Sequence, residues 1–326
     1  MIYNNLTAIA EKFDIFIFDA YGVFWEGNGF YAGSREVMAD LIKQGKTVAI
    51  VSNSSAISDD LRISYQKRGL IYGEHYNYLI SSGDLLLHHL RIGDIRFEKC
   101  ENPLKYYVIG KPHSKAFIGT KYQQVETLNN ADFVYIGVPY VYADTIKKYP
   151  QSADYFWPVR LDENGNICEW DTLTAEPFND IVQQTVDLNL PVLNANPDFT
   201  AKEGHHLVPN SNAVFVVRNG MIAQMFRNLG AEVLEYGKPH KNIYDFVFAK
   251  LHSDGISIDK NRTCMIGDTV RTDIKGGINA GITPILCIET GVTAEDIHGG
   301  QSVENLCAKE NIDVKQIIQI KSVGGK

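Results

Sequence analysis

Three aspartates stand where a strand-like pattern gives way to a turn or a helix. Asp19 follows the apolar run at 15–18, and Asp268 follows the apolar run at 263–266, with Asp273 close behind it. Mg²⁺ takes one or two carboxylates together with phosphate and water oxygens, so Asp19 and Asp268 could bind it and Asp273 could support them. Each aspartate alone could instead cap a helix, form a turn or interact with a helix dipole.

Three other residues could bind a phosphate group. Lys238 lies in a Gly-Lys-Pro segment directly before a helical pattern, where its ammonium group could face both a phosphate and a carboxylate. The net charge of −8 repels phosphorylated substrates at long range, so a phosphate site needs such a local cation. Ser52 and Asn53, after the run at 47–51, offer a hydroxyl and backbone N–H groups. The alternatives are a solvated surface lysine and a plain helix cap.

Both ends of the chain alternate strand-like and helical patterns. The apolar runs predict strands at 15–18, 47–51, 78–80, 263–266 and 283–288. Apolar residues at helical spacing predict helices at 34–44, 242–251 and 272–280. Continuous apolar strands alternating with amphipathic helices are typical of a parallel sheet covered on both faces. Ligands bind such sheets at the carboxyl ends of the strands, so the polar residues there could converge on one site.

The middle of the chain has a strand-and-helix pattern of its own, with strand candidates at 106–109, 133–136 and 192–193. It interrupts the pattern of the two ends. We therefore predict a doubly wound α/β core domain from residues 1–102 and 199–326, with an α/β cap domain inserted at 103–198.

The composition is that of a globular protein, with 44% apolar and 21% charged residues and a pI of about 5.6. The acidic balance argues against nucleic acid as a partner, and no run is long enough to span a membrane. The five cysteines form no CxxC pair, and no signal peptide is recognisable, so we expect a cytoplasmic protein with reduced thiols. A homodimer is expected only because it is the commonest assembly.

Taken in order, the segments around Asp19, Ser52, Lys238 and Asp268 read strand-DxxG, strand-SN, GKP-helix and strand-GDxxxTD. This set resembles the four motifs of the haloacid dehalogenase (HAD) superfamily. The likeness covers nearly the whole chain and narrows to the large-cap class IIA branch, which includes the NagD-like phosphatases. Further local matches lie at 21–25, 31–34, 81–84, 196–198, 277–282 and 290–292.

The resemblance implies a role for each motif residue. Asp19 is the expected nucleophile, and it would bind Mg²⁺ together with the Tyr21 backbone carbonyl and Asp268, supported from behind by Asp273. Ser52, Asn53 and Lys238 would bind the transferring phosphoryl group. The implied function is hydrolysis of a small phosphorylated metabolite through an aspartyl-phosphate intermediate.

Tyr21 departs from the pattern of the phosphatases, which carry an acid/base aspartate at this position. A phenol with a pKa near 10 is a poor general base, so turnover should fall by about 10²–10⁴-fold. The Asp-Ala-Tyr-Gly string is similar to the true haloacid dehalogenases, which makes hydrolysis of a 2-haloacid an alternative. The metal-binding segment argues against it, because Mg²⁺ on Asp19 would weaken attack on carbon. A non-catalytic protein that binds phosphate esters is the third hypothesis.

Two further features could belong to a site but have simpler explanations. The aromatic residues at 140–142 and 155–157 could line a substrate pocket or form the core of the cap. The His205-His206 pair could bind metal, but adjacent side chains point apart and no third ligand lies nearby in sequence.

Overall fold

The computed structural model of the protein describes residues 2–26, 29–110, 115–139, 159–161, 167–170, 175, 178–203 and 214–325. The aromatic residues at 140–142 and 155–157 and the His205-His206 pair lie outside these ranges. Among the helices within these ranges, none has both the length and the apolar character needed to cross a bilayer.

The described strands fall into two parallel sheets and three short two-stranded ribbons. In chain order they are β1 (Ile2–Asn5), β2 (Ile15–Phe18), β3 (Trp25–Glu26), β4 (Gly29–Phe30), β5 (Thr47–Ser52), β6 (Tyr78–Ser81), β7 (Lys105–Ile109), β8 (Gln123–Gln124), β9 (Phe133–Ile136), β10 (Val159–Leu161), β11 (Ile167–Trp170), β12 (Val192–Asn194), β13 (Thr200–Glu203), β14 (Val214–Val217), β15 (Val233–Glu235), β16 (Thr263–Gly267), β17 (Thr283–Cys287) and β18 (Ile318–Ser322).

Helices alternate with these strands along the chain. The α-helices are α1 (Ser34–Lys43), α2 (Ser58–Lys67), α3 (Ser82–Ile92), α4 (Asn179–Asp187), α5 (Asn219–Asn228), α6 (Lys241–Ser253), α7 (Lys275–Ala280), α8 (Gly291–His298) and α9 (Val303–Lys309). A π-helical turn at Val270–Ile274 leads into α7.

The larger sheet has seven parallel strands in the order β1-β18-β17-β16-β2-β5-β6. The apolar runs predict five of these strands, β17, β16, β2, β5 and the edge strand β6. Those predictions are confirmed. The pair β1 and β18 extends the sheet at the other edge. Sequence analysis missed it because β1 is four residues long and alternates between exposed and half-buried positions.

Both faces of the larger sheet are covered, as predicted for a doubly wound fold. Phe18 belongs to a buried cluster that includes Tyr65 from α2. Ile17, which points to the opposite face, belongs to a second cluster with Leu86 from α3 and Val247 from α6. The strands are therefore apolar on both sides, which explains their continuous apolar runs.

The smaller sheet also consists of parallel strands, in the order β15-β12-β9-β7-β8. Helices α4 and α5 cover one face, through buried residues such as Val182 and Phe226. The other face adds Tyr106 and Phe133 to the cluster that contains Ile17, so the two sheets share a hydrophobic core. The boundary predicted at 198/199 cuts through this layer, because its edge strand β15 pairs with β12. A boundary after β15 fits the sheet better.

Candidate active site

Asp19, Ser52 and Asp268 lie at the carboxyl ends of three adjacent parallel strands. Strand β2 pairs with β16 on one side and with β5 on the other. Asp19 directly follows β2, and its backbone N–H donates a 2.8 Å hydrogen bond to the carbonyl oxygen of Ile266. Ser52 is the last residue of β5, and Asp268 directly follows β16. The parallel register thus brings these residues to one edge of the sheet, as sequence analysis expected.

Lys238 is the cation of this site. Its side chain is 1% exposed, and Nζ lies 2.5 Å from Asp19 Oδ1 and 2.8 Å from Asp273 Oδ1. Burial would lower the pKa of Lys238, but the Asp19 and Asp273 carboxylates outweigh it and raise that pKa well above its usual value. Lys238 is therefore charged at neutral pH and faces the expected nucleophile.

The backbone N–H groups around Asn53 were predicted to bind phosphate. The Asn53 side chain forms hydrogen bonds with other residues of the protein. The residue is 1% exposed. Its Oδ1 accepts a 2.7 Å hydrogen bond from the Lys238 backbone N–H, and its Nδ2 donates to the Lys238 carbonyl oxygen at 3.0 Å. The same Nδ2 donates to Asp198 Oδ1 at 2.8 Å. Asn53 thus holds Lys238 and Asp198 in position, and phosphate binding by the backbone N–H groups at Ser52-Asn53 stays a prediction.

Asp268 is held in a tight backbone cradle. Its side chain accepts a 2.6 Å hydrogen bond from the Val292 backbone N–H. A Cβ atom built on Gly22 would lie 2.1 Å from Asp268 Oδ2, and one built on Gly291 would lie 1.9 Å from it. Any side chain at these two positions would therefore collide with the carboxylate. Gly22, which directly follows Tyr21, thus packs against Asp268, and metal binding by the Tyr21 carbonyl stays a prediction.

Asp273 supports the site from behind, in the position that sequence analysis predicted for it. Its Oδ2 accepts hydrogen bonds from the backbone N–H groups of Asp268 at 3.2 Å and Thr269 at 3.1 Å, while Oδ1 faces Lys238. The π-helical turn at Val270–Ile274 directs this side chain back toward the end of β16.

The three carboxylates suit a hard divalent cation. Asp19, Asp268 and Asp273 each place one oxygen within 4.8 Å of the others. Burial raises the pKa of Asp268 well above its usual value, and the nearby Asp273 and Asp19 carboxylates raise it further. Burial also raises the pKa of Asp273, although Lys238 opposes this shift. Lys238 alone does not offset three clustered carboxylates, whereas a cation bound to Asp19 and Asp268 would do so.

A cavity of about 240 Å³ lies between the core and the second α/β layer. Tyr21 and Ser52 line it from the core, and Asp198 and Asn219 line it from the second layer. The Tyr21 ring packs edge-on against Trp25 at a centroid distance of 5.6 Å. Its hydroxyl accepts a 3.5 Å hydrogen bond from Arg68, so the phenol is positioned at the cavity wall. The acid/base position of the phosphatases is thus occupied by a packed aromatic side chain.

Ser52 is placed as expected for a phosphate-binding residue. It is 5% exposed, and its Oγ accepts a 3.2 Å hydrogen bond from the Ser54 backbone N–H. Ser52 also lines the cavity.

Sequence analysis missed the contributions of Asp198 and Gly291. Both lie in segments that we noted only as local matches, 196–198 and 290–292. Asp198 lies in a turn and Gly291 is the first residue of α8, and neither local pattern indicates which site residue they contact, because those contacts are tertiary.

Two family models match the chain. One, described as haloacid dehalogenase-like hydrolase, matches residues 16–119, and the other, described as HAD-hydrolase-like, matches residues 235–306. Together they cover more than half of the 326 residues and include Asp19, Ser52, Lys238 and Asp268. The chain belongs to the haloacid dehalogenase superfamily of hydrolases, and its second α/β layer is inserted after β6.

Several known proteins resemble the chain over most of its length. Phosphoglycolate phosphatase 2 of Arabidopsis thaliana is 24% identical over 316 aligned positions, covering 90% of this chain and 88% of that protein. The 4-nitrophenylphosphatase of Schizosaccharomyces pombe is 23% identical, with 88% of this chain and 87% of that protein covered. A haloacid dehalogenase-like hydrolase from Brucella suis 1330 shares the fold, with a TM-score of 0.72, 22% identity and coverage of 99% and 100% of the two chains.

Proposed function

We propose that this chain is a Mg²⁺-dependent phosphatase that hydrolyses a small phosphorylated metabolite through phosphorylation of Asp19. The observation that carries the proposal is the buried Lys238 ammonium, 2.5 Å from Asp19 Oδ1, beside a cluster of three carboxylates. This combination provides a nucleophile, a cation for phosphoryl oxygens and a place for a divalent metal. The relatives named above include phosphatases, which supports the same reaction class.

Several residues of the chain act in the first step, the transfer of the phosphoryl group to Asp19. Asp19 attacks phosphorus, and the bond from phosphorus to the leaving oxygen breaks. Lys238 balances charge on the phosphoryl oxygens, and Ser52 donates a hydrogen bond to them. Asp273 and Asn53 keep Lys238 in place through its side chain and its backbone. In the second step water attacks phosphorus and releases Asp19.

Asp19, Asp268 and the Tyr21 carbonyl would hold Mg²⁺. When bound, the ion would polarise the phosphoryl oxygens and offset the negative charge of the two carboxylates. A dehalogenase needs a free carboxylate to attack carbon, so the clustered carboxylates favour the phosphatase over the dehalogenase. Location in the cytoplasm, a small-molecule substrate and a homodimer remain predictions from the sequence.

Trapping of phosphorylated Asp19 tests the proposal. The protein is mixed with Mg²⁺ and p-nitrophenyl phosphate, quenched in acid and analysed by peptide mass spectrometry. We expect one phosphoryl group on the peptide that contains Asp19, and none in Asp19→Asn, because an amide is not a nucleophile. Asp245→Asn is the matched control, since Asp245 is an exposed residue of α6 that pairs with Lys241.

Chloride release from 2-chloropropionate without metal, together with an unphosphorylated Asp19, would overturn the phosphatase in favour of the dehalogenase. Tight binding of phosphate esters with neither phosphorylation nor turnover would overturn it in favour of the binding protein.

A further inference from the structure

Asp198 lines the 240 Å³ cavity from the second α/β layer. It lies in the turn between β12 and β13, where its backbone N–H donates a 3.1 Å hydrogen bond to Asn196 Oδ1. Its side chain lines the same cavity as Tyr21 and Ser52. Asp198 therefore borders this cavity from the second layer, and Tyr21, two residues after Asp19, borders it from the core.

Asn53 fixes Asp198 relative to the nucleophile. The Asn53 amide donates to Asp198 Oδ1 at 2.8 Å, and the same side chain holds the Lys238 backbone through two hydrogen bonds. Lys238 in turn contacts Asp19. A chain of short contacts therefore connects Asp198 to Asp19, so the position of this carboxyl group depends on the geometry of the site itself. The contact from Asn53 occupies one of its two oxygens.

We propose that Asp198 is the catalytic acid and base of this site, in the role that Tyr21 cannot perform. The inference rests on the proposed phosphatase function. In the first step Asp19 forms a bond to phosphorus, the bond to the leaving oxygen breaks, and that oxygen takes the proton of the Asp198 carboxyl group. In the second step the resulting Asp198 carboxylate takes a proton from water as the water oxygen attacks phosphorus. The bond between phosphorus and Asp19 then breaks, and phosphate leaves.

The electrostatic surroundings favour the protonated form that the first step needs. Burial raises the pKa of Asp198, and the Asp19 carboxylate raises it further, while Lys238, Asn53 and Arg271 oppose the shift. Arg271 is itself turned toward the ring of Phe199, with 3.5 Å between the guanidinium carbon and the ring centroid. Its backbone partner is the Pro197 carbonyl oxygen. Arg271 thus supports the turn that carries Asp198.

Asp198→Asn separates proton transfer from positioning. The asparagine oxygen can still accept the hydrogen bond from Asn53, so the link to Lys238 is retained, but the amide can no longer supply or accept the catalytic proton. Asp198→Ala removes both functions and serves as the comparison. The Asp245→Asn variant on the exposed face of α6 controls for a general effect of the substitution.

The experiment compares two leaving groups in each variant. p-Nitrophenolate departs without a proton, whereas the alkoxide of glycerol phosphate needs one. For Asp198→Asn we expect a rapid burst of about one equivalent of p-nitrophenol, followed by slow turnover with Asp19 phosphorylated. With glycerol phosphate, kcat should fall by about 10²–10⁴-fold with little change in KM and no phosphorylated Asp19 should accumulate. Asp245→Asn should match the wild type on both substrates.

An equal loss on both substrates without a burst would assign Asp198 a structural role and overturn the inference. Wild-type kinetics in Asp198→Asn would overturn it too. Both results presuppose that wild-type Asp19 becomes phosphorylated. If it does not, the proposed function fails, and that failure is visible in the wild type alone.

Discussion

The Nζ of Lys238 lies 2.5 Å from Asp19 Oδ1, although 219 residues separate the two in sequence. Asp273 contacts the same ammonium at 2.8 Å. A fully buried lysine is stable only because carboxylates surround it, and the carboxylates in turn depend on the lysine. This mutual dependence connects the stability of the site with its activity, and it gives the first prediction.

Lys238→Met and Lys238→Ala should both lose activity, by about 10²–10³-fold in kcat, because each removes the cation that faces the phosphoryl group. Both leave Asp19 and Asp273 without their buried partner, which should cost about 3–5 kcal/mol in the free energy of unfolding without metal. Lys238→Ala should be the less stable variant, since it also leaves a void. Steady-state kinetics and urea unfolding measure the two effects.

The exposed Lys250, which pairs with Asp254 on α6, supplies the control for Lys238. Lys250→Ala should change the free energy of unfolding by less than about 1 kcal/mol and leave kcat unchanged. Wild-type activity in Lys238→Met would contradict a role of the lysine in the reaction.

Mg²⁺ should raise the melting temperature of the protein, because it binds the clustered carboxylates of the native state. At a concentration of about 100 times Kd the gain is about 2.7 kcal/mol. Asp268→Asn should abolish most of this shift. Without metal the same variant should be at least as stable as the wild type, because it removes one of three mutually repelling carboxylates.

Differential scanning fluorimetry in EDTA gives the metal-free melting temperature of Asp268→Asn, and the same measurement in Mg²⁺ gives its metal-induced shift. An equal metal-induced shift in wild type and variant would place the ion elsewhere.

Gly291→Ala should disable the site by displacing Asp268. The new methyl group would lie 1.9 Å from Asp268 Oδ2, and the backbone at this position has a φ of 65°. We expect loss of Mg²⁺-dependent activity and a destabilisation of about 1–3 kcal/mol. Gly230→Ala is the control, because Gly230 also has a positive φ of 77° but has no atom within 4 Å of a built Cβ. It should cost stability alone, so equal activity losses in both variants would refute the steric explanation.

Tyr21→Asp should raise the turnover of alkyl phosphates by up to about 10²-fold, since it adds the carboxyl group that the phosphatases carry at this position. Loss of the edge-on contact with Trp25 should cost about 1–3 kcal/mol of stability. p-Nitrophenyl phosphate should show the smallest gain, because its leaving group needs no proton.

The gain from Tyr21→Asp should be larger in an Asp198→Asn background than in the wild type. In that background the new carboxyl group at position 21 takes over the proton transfer that Asp198 has lost. Kinetics of the double variant measure this coupling. Identical gains in both backgrounds would show that the two positions do not share a role. If Tyr21→Asp gives no gain on any alkyl phosphate in either background, with the fold intact, position 21 is not the place of a missing acid/base residue.

The sequence by itself determined the α/β alternation and the ends of the inner strands. Runs such as 15–18 and 263–266 are apolar because both faces of the strand are buried, and polar residues follow them because the sheet edge holds the site. Such information is local, so it can be read from a window of a few residues. It was sufficient to place Asp19, Ser52, Asp268 and the segment of Lys238 near one another.

Only the tertiary structure decided which side chains meet. It directed the Asn53 side chain toward Lys238 and Asp198, and it brought Gly291 against Asp268. It also moved the boundary of the second layer from 198 to the end of β15. Each of these contacts joins segments that lie far apart in the chain, and hydrophobic periodicity carries no record of such pairings. They are fixed when the two sheets pack against a shared core, because that packing sets the distance of every site residue from its partners.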